Sequence, residues 1–385
     1  MNRAEAWDRA TRGKSAPFAV VDLDAFDANA ADLARRAAGR PIRVASKSLR
    51  VRSLLERALE REGYAGVMSY ALPEALWLVG HGVREVFVAY PTTDREALTA
   101  LAGDELALEQ VCITVDSTEQ IEVLRRLLPK GAPVRVVVDI DASLRVGPAH
   151  LGVRRSPIRS PRRAAGVARA ARDAGFRVVG LMFYDAQIAG LPDSSPAIRW
   201  VKARSDVSLR RRRSAVRAAI EDVVGPLEFA NGGGTGSLEV TGKDDALTEL
   251  AAGSGLIGPT LFDGYASFTP EPAAAFALPV VRRPAKDVVT CFAGGYIASG
   301  PAGASRVPSV IYPEGLQMIG TEGAGEVQTP LRGKAARDLS IGDRVWFRHA
   351  KAGELAERFD EYLVISGGEV VDAVPTYRGE GKNFG

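Results

Sequence analysis

At 385 residues the chain exceeds the usual single-domain size, so two domains, or one large barrel with an accessory, are expected. An apolar share of 46% can build a sizeable core, and a formal net charge of +3 is too small for this length to argue for a polyanionic partner. No apolar run approaches the roughly 20 residues that cross a bilayer, and two cysteines, Cys112 and Cys291, exclude a disulfide framework.

The first residues, MNRAEAWDRATRGKSA, hold no hydrophobic leader before a small-residue cleavage site. With the sparse cysteines this points to a cytoplasmic protein, and residues 1–17 read as an extension. From Phe18 to about Asp263 a short β-branched run, a turn and an alanine- and leucine-rich helical stretch recur. The candidate strands are PFAVVDLD, PIRVASK, AGVMSY, EVFVAY, CITVD, VRVVVDID, FRVVGLMFY, LEFANGG and a weaker ALTELAAGS. Continuous apolar strands suit a parallel sheet covered on both faces. Their alternation with helices over about 250 residues predicts an α/β fold, a (β/α)8 TIM-type barrel over 18–272.

After Pro270 the texture changes. Pro and Gly become frequent, helical periodicity stops, and short alternating runs such as LPVVRR, DVVTCFAGGY, DRVWFRHA and EYLVISGGEVVDAVP follow. These predict a C-terminal antiparallel β domain over 273–385, with the boundary in the region 268–278.

A parallel barrel keeps its chemistry at the C-terminal ends of its strands. Those positions hold Ser46 and Lys47, Ser69 and Tyr70, Tyr90, Asp116, Asp139, Asp141 and Arg145, Tyr184, Asp185 and Gln187, Asn231 to Ser237, then Gly253 and Ser254. Lys47 ends RVASK just where the helical run from Ser48 begins. A desolvated lysine loses its proton more readily, and the free amine can form an imine with an aldehyde; the alternative is a snorkelling surface lysine. FANGGGTGS (Phe229–Ser237) offers consecutive glycine amides to an anion, without the Gly-Lys-Ser/Thr ending of a nucleotide loop or GxGxxG spacing. AAGSG (Ala251–Gly255) follows one strand later, and two such late turns match a barrel phosphate site or are simply flexible turns. The arginine-rich stretches RRSPIRSPRR (Arg154–Arg163) and LRRRRSAVR (Leu209–Arg217) read as solvated helix surface, because no aromatics interleave to stack on bases. No nucleic-acid or membrane partner is expected.

The early barrel lysine, the late phosphate cradle and the all-β second domain together resemble the fold-type III, alanine-racemase-like pyridoxal-phosphate enzymes, in particular the branch of D-threonine aldolase and D-serine dehydratase. The resemblance runs through AVVDLDAFDANAADLARRA, RVASKS, VVVDIDASLRVG, GLMFYDAQIAG, GGGTGS and the final HAKAGE and VPTYRGEGKNF. It implies that Lys47 carries pyridoxal 5'-phosphate as a Schiff base. It implies further that Arg145 lies near the cofactor's phenolic oxygen, that Tyr184 lies beside the cofactor, and that Gly233, Gly234, Thr235, Gly253 and Ser254 hold its phosphate. A homodimer is also implied. Related enzymes carry a histidine shortly after the tyrosine, where this chain has Gln187.

The aldolase and dehydratase branch ends in a histidine followed two residues later by a metal-binding cysteine or aspartate. Here His349 is followed by Lys351, and an ammonium is no metal ligand. The expectation is that no divalent metal is bound and that the Lys351 ammonium supplies positive charge to the substrate. A Lys351–Glu354 salt bridge, and a weakened metal site of His349 and Glu354, stay open. Lys47, His349, Lys351 and Tyr184 are the candidate catalytic residues. The resemblance implies a lyase acting on a β-hydroxy D-amino acid by aldol cleavage, its reverse, or dehydrative deamination. Amino acid racemisation and a non-catalytic pyridoxal-phosphate-binding protein are the alternatives.

Overall fold

The computed structural model describes residues 2–301 and 303–385, so Met1 of the expected extension lies outside the described residues. Its first strand corrects the expected order. β1 (Phe18–Asp22) does not enter the barrel. It runs antiparallel to β12 (Ala274–Ala285), with Phe18 opposite Ala277, and parallel to β18 (Glu361–Ser366), with Ala19 opposite Tyr362. An apolar run followed by the helix Leu23–Arg36 looks locally like a barrel βα unit, and only its distant partners decide otherwise.

The other eight candidates close a parallel barrel in chain order. They are β2 (Ile42–Ala45), β3 (Tyr64–Ser69), β4 (Val86–Val88), β5 (Val111–Val115), β6 (Arg135–Asp139), β9 (Arg177–Phe183), β10 (Phe229–Gly232) and β11 (Glu249–Ala252), with β11 pairing back on β2. Between β6 and β9 stands a two-stranded ribbon, β7 (Leu144–Val146) with β8 (Ala149–Leu151). The helices start where short polar side chains satisfy exposed amides: Asp94 accepts from Ala97 N, and Ser160 and Ser195 cap helices whose first residue is proline.

The barrel also buries charge. Arg43 of β2 forks onto Glu249 of β11, with Nε–Oε1 at 2.7 Å and Nη2–Oε2 at 2.8 Å, and Asn231 donates to the same carboxylate. Gly66 gives the guanidinium room: a Cβ there would stand 2.6 Å from Arg43 Nη1.

The long helix Pro196–Val224 changes the reading of the second arginine stretch. Arg213 is fully buried, 2.9 Å from Asp185 and 3.2 Å from Asp244. Arg212 donates to the Asp141 and Ser143 carbonyls, and Arg210 to those of Val240 and Lys243. Solvated surface was the expectation; these side chains instead tie the helix to the loops around it.

The remaining strands are β13 (Val288–Phe292), β14 (Ser309–Tyr312), β15 (Gln317–Met318), β16 (Gln328–Arg332), β17 (Arg344–Arg348) and β19 (Glu369–Pro375). With β1, β12 and β18 they form a nine-stranded sheet, β15–β16–β13–β12–β1–β18–β19, with β17 on β12 and β14 on β17. Apart from the β1–β18 pair it is antiparallel, as the β-domain expectation requires. Its core joins Val20, Ala275, Ala277, Trp346, Leu363 and Ile365 with Trp7 from the N-terminal helix Arg3–Ala10. Two compact units result. One comprises Met1–Ala31, Ser48–Ser53 and Ser254–Asn383, the other Asp32–Lys47, Leu54–Gly253 and Phe384–Gly385. No described helix is long and apolar enough to cross a membrane.

Candidate active site

In the barrel unit, β2 ends in a single 3-10 turn, Ser46–Ser48, in which Ser46 Oγ donates to the Met68 carbonyl. Lys47 projects from this turn, exposed, and its Nζ donates to the Tyr90 hydroxyl at 2.8 Å. Tyr90 follows β4, two strands round the barrel. The Arg155 guanidinium lies 5.3 Å from the Tyr90 ring centre and 4.7 Å from that of Tyr184, which follows β9. Lysine, arginine and two phenols thus converge at the C-terminal mouth.

Burial pushes both phenols up, and the cations pull them down. For Tyr90 the cations win: the Lys47 ammonium and the Arg155 guanidinium, each also hydrogen-bonded to it, bring it below the ordinary value. For Tyr184 burial wins, and its phenol stays raised. Asp139, at the end of β6, is 5% exposed and is pushed up to about 7 by burial, against the pull of Arg155. Asp139, Asp141, Arg155, Ser156 and Tyr184 line one small pocket.

Arg145 comes from β7, after the end of β6. It lies on the ribbon, half exposed, 3.5 Å from Asp141, which also takes Arg159 at 3.1 Å. Gln187 is buried and donates to the Ala142 carbonyl, its Oε1 unpartnered. The guanidinium stacked on the two phenols belongs to Arg155, from the stretch read as solvated surface.

The glycine turn after β10 is tightly built. Gly233 has φ +80°, which favours glycine, and a Cβ on Gly234 would stand 2.8 Å from Ala189 Cβ. Gly234 N donates to Ser237 Oγ at 3.1 Å, and Arg36 donates to the Thr235 carbonyl. Asp185, next to Tyr184, accepts from Ser237 Oγ at 3.1 Å and Thr241 Oγ1 at 2.7 Å, and pairs with Arg213. One buried carboxylate therefore holds the turn from below. Gly253 follows β11, between the strands that carry the turn and Lys47. β10 and β2 lie two strand spacings apart, about 10 Å. Ser254 opens a 3-10 turn that belongs to the sheet unit.

In the sheet unit, His349 is buried, and neither ring nitrogen has a well-formed hydrogen-bond partner. Burial, then the neighbouring Arg348, pushes it down to about 3, so it is neutral at physiological pH. Lys351 Nζ donates to the Ser299 carbonyl at 3.1 Å, and Glu354 Oε1 accepts from Ser299 N at 2.8 Å. Among the described residues, no group of three His, Cys, Asp or Glu side chains stands ready for a metal ion.

Sequence reasoning named Tyr90 and Asp139 only as strand ends, and their strand-end position was the signal available. It passed over Arg155, which lies on a loop without periodicity.

Residues 21–258 match the family model described as the alanine racemase N-terminal domain. The chain is 24% identical over 242 residues to a 3-hydroxy-D-aspartate aldolase of Paracoccus denitrificans, an alignment spanning 62% of this chain and 59% of that protein. Among solved structures, D-threonine aldolase from Filomicrobium marinum superposes with a TM-score of 0.79 at 23% identity, over 94% of this chain and 95% of the other. D-threo-3-hydroxyaspartate dehydratase from Delftia sp. HT23 gives 0.74 at 19%, over 94% and 98%, and alanine racemase from Bacillus anthracis 0.65 at 14%, over 95% and 99%.

Proposed function

The chain belongs to the alanine racemase N-terminal domain family, and from that premise we propose that it is a pyridoxal-phosphate lyase acting on a β-hydroxy D-amino acid, by aldol cleavage or formation or by dehydrative deamination. The observation that carries the reading is Lys47 Nζ at the barrel mouth, hydrogen-bonded to a phenol and two strand spacings from a tight glycine turn. The substrate class follows the aldolase and the dehydratase among the similar proteins.

The residues present fit the cofactor. The Lys47 amine would take the aldehyde, and the turns of Gly233, Gly234 and Thr235 and of Gly253 would hold the phosphate; the first turn is packed so closely that a Cβ on Gly234 would stand 2.8 Å from Ala189 Cβ. When bound, pyridoxal phosphate supplies the electron sink that makes a bond to Cα breakable. The chain supplies the rest. Lys47 provides the amine and, once free, a base on one face of the substrate. Tyr184, its phenol kept protonated by burial, flanks the site as a hydrogen-bond donor. Arg145, on the ribbon beside Asp141, and Arg155, beside the rings of Tyr90 and Tyr184, are the cations offered to the cofactor's phenolic oxygen. His349, neutral by burial, is the base assigned to the substrate hydroxyl, and the Lys351 ammonium stands in for a divalent metal. The holoprotein is read as a cytoplasmic homodimer without nucleic-acid or membrane partners, which sedimentation and fractionation test.

An imine absorbance band in the purified protein, lost in Lys47→Ala, is the expected result; its persistence in that variant ends the reading. Incubation with D-threonine, 3-hydroxy-D-aspartate, D-serine and D-alanine then sorts the chemistry. Glycine and an aldehyde mean cleavage, a keto acid and ammonia mean deamination, and the L-enantiomer alone means a racemase. Stoichiometric zinc or manganese in the active protein would overturn the role given to Lys351.

A further inference from the structure

Tyr90 has no chemical role in the proposed function, yet its hydroxyl is the group that Lys47 meets. Lys47 comes from the turn after β2, Tyr90 from the end of β4 and Arg155 from the loop after β8, so three separate segments meet at one phenol, Lys47 at its oxygen and Arg155 beside its ring. Tyr184 packs beneath the same guanidinium, and Asp139 is the carboxyl that faces Arg155. Two cations on one phenol favour its phenolate, despite the burial that opposes it.

An ordinary lysine is an ammonium at neutral pH and does not attack a carbonyl until it loses a proton. We propose that Tyr90 is the base that takes this proton. Nζ gives a proton to the Tyr90 oxygen; the pair passes from ammonium and phenolate to amine and phenol, with no change in total charge. Arg155 keeps the phenolate form populated, and return of the proton resets the pair. The inference rests on the assignment of Lys47 as the cofactor's lysine and adds the residue that activates it.

The full-length protein, freed of cofactor and refilled with pyridoxal phosphate, is followed by its imine absorbance across pH. Tyr90→Phe is expected to slow imine formation near neutral pH by about tenfold or more and to move its half-point to higher pH. Arg155→Met keeps the phenol and should move the half-point the same way by less. In the cofactor-free protein, ultraviolet difference titration should show one tyrosine ionising ahead of the others. That early step should vanish in Tyr90→Phe and move to higher pH in Arg155→Met. If Tyr90→Phe does not fold, the Arg155→Met titration decides. Unchanged rates, half-points and titrations overturn the inference while leaving Lys47 in place. A parent protein that forms no imine, or a Lys47→Ala variant that forms as much, removes the cofactor assignment and the inference together.

Discussion

Asp139 and His349 are buried titratable side chains whose folded environments pull stability in opposite directions with pH. Asp139 is raised from an ordinary 3.8 to about 7, so the folded chain holds its proton longer than the unfolded chain. Below about 4 this costs nothing; the penalty grows as pH rises towards 7 and is then constant. At 1.36 kcal/mol per unit the ceiling is about 4 kcal/mol. Asp139→Asn is therefore expected to gain on the parent, in urea midpoint, between pH 5 and pH 8; parallel midpoints across that range would refute it. His349, lowered from 6.5 to about 3, acts the other way: its contribution is complete above 6.5 and is lost as pH falls towards 3. His349→Gln should accordingly flatten the loss of stability on acidification, read as thermal midpoints at pH 7 and pH 4.5. At this scale the sequence was partly legible. Lys47 stood out because a charge interrupts an apolar strand just before a helical run. Tyr90 and Asp139 showed only as strand ends, and Arg155 did not show at all, since a loop has no period that says which way its side chains turn.

At the level of single elements, the helix Pro196–Val224 shows how periodicity outranks residue type. Leu209, Arg213, Val216 and Ile220 recur at helical spacing, and all four are buried. The stripe was visible in the sequence, and Arg213 lies on it; reading the arginines as a charge run hid this. Its partners, Asp185 and Asp244, are as buried as it is, so removing the cation strands two carboxylates in the interior. Arg213→Met should cost about 3–5 kcal/mol, whereas Arg211→Met, exposed two residues earlier, should stay within about 0.5 kcal/mol of the parent. Because Asp185 also binds Ser237 and Thr241, the loss should reach the glycine turn and weaken pyridoxal-phosphate retention. Equilibrium dialysis at a temperature where both variants are folded separates this from stability alone. Equal retention by the two variants would show that the turn holds its shape without the Arg213 pairing to Asp185 and Asp244.

Across the whole molecule, the order of elements in the chain is not their order in space. Barrel and β domain are both present, and the strands of each were recognisable from local pattern, eight for one and the C-terminal runs for the other. A linear division at about residue 272 was the natural reading, because local pattern carries no information on which distant strand pairs with which. β1 breaks that division. Its apolar residues are buried between Ala274–Ala277 on one edge and Tyr362–Ile365 on the other, over 200 residues along the chain. The segments Met1–Ala31 and Ser48–Ser53 likewise belong with the sheet. A chain ending at residue 272 would keep all eight barrel strands yet leave β1 with neither hydrogen-bonded neighbour, a bare apolar strand with two free edges. It is expected to be recovered mostly as aggregate, with lysine substitutions at Val20 and Val21 improving its solubility by blunting those edges. The same substitutions in the full chain should be strongly destabilising, since both positions are fully buried there. A truncated chain that stays soluble and unfolds cooperatively without them would mean that β1 can be released at little cost, and that the barrel does after all end where local pattern ends.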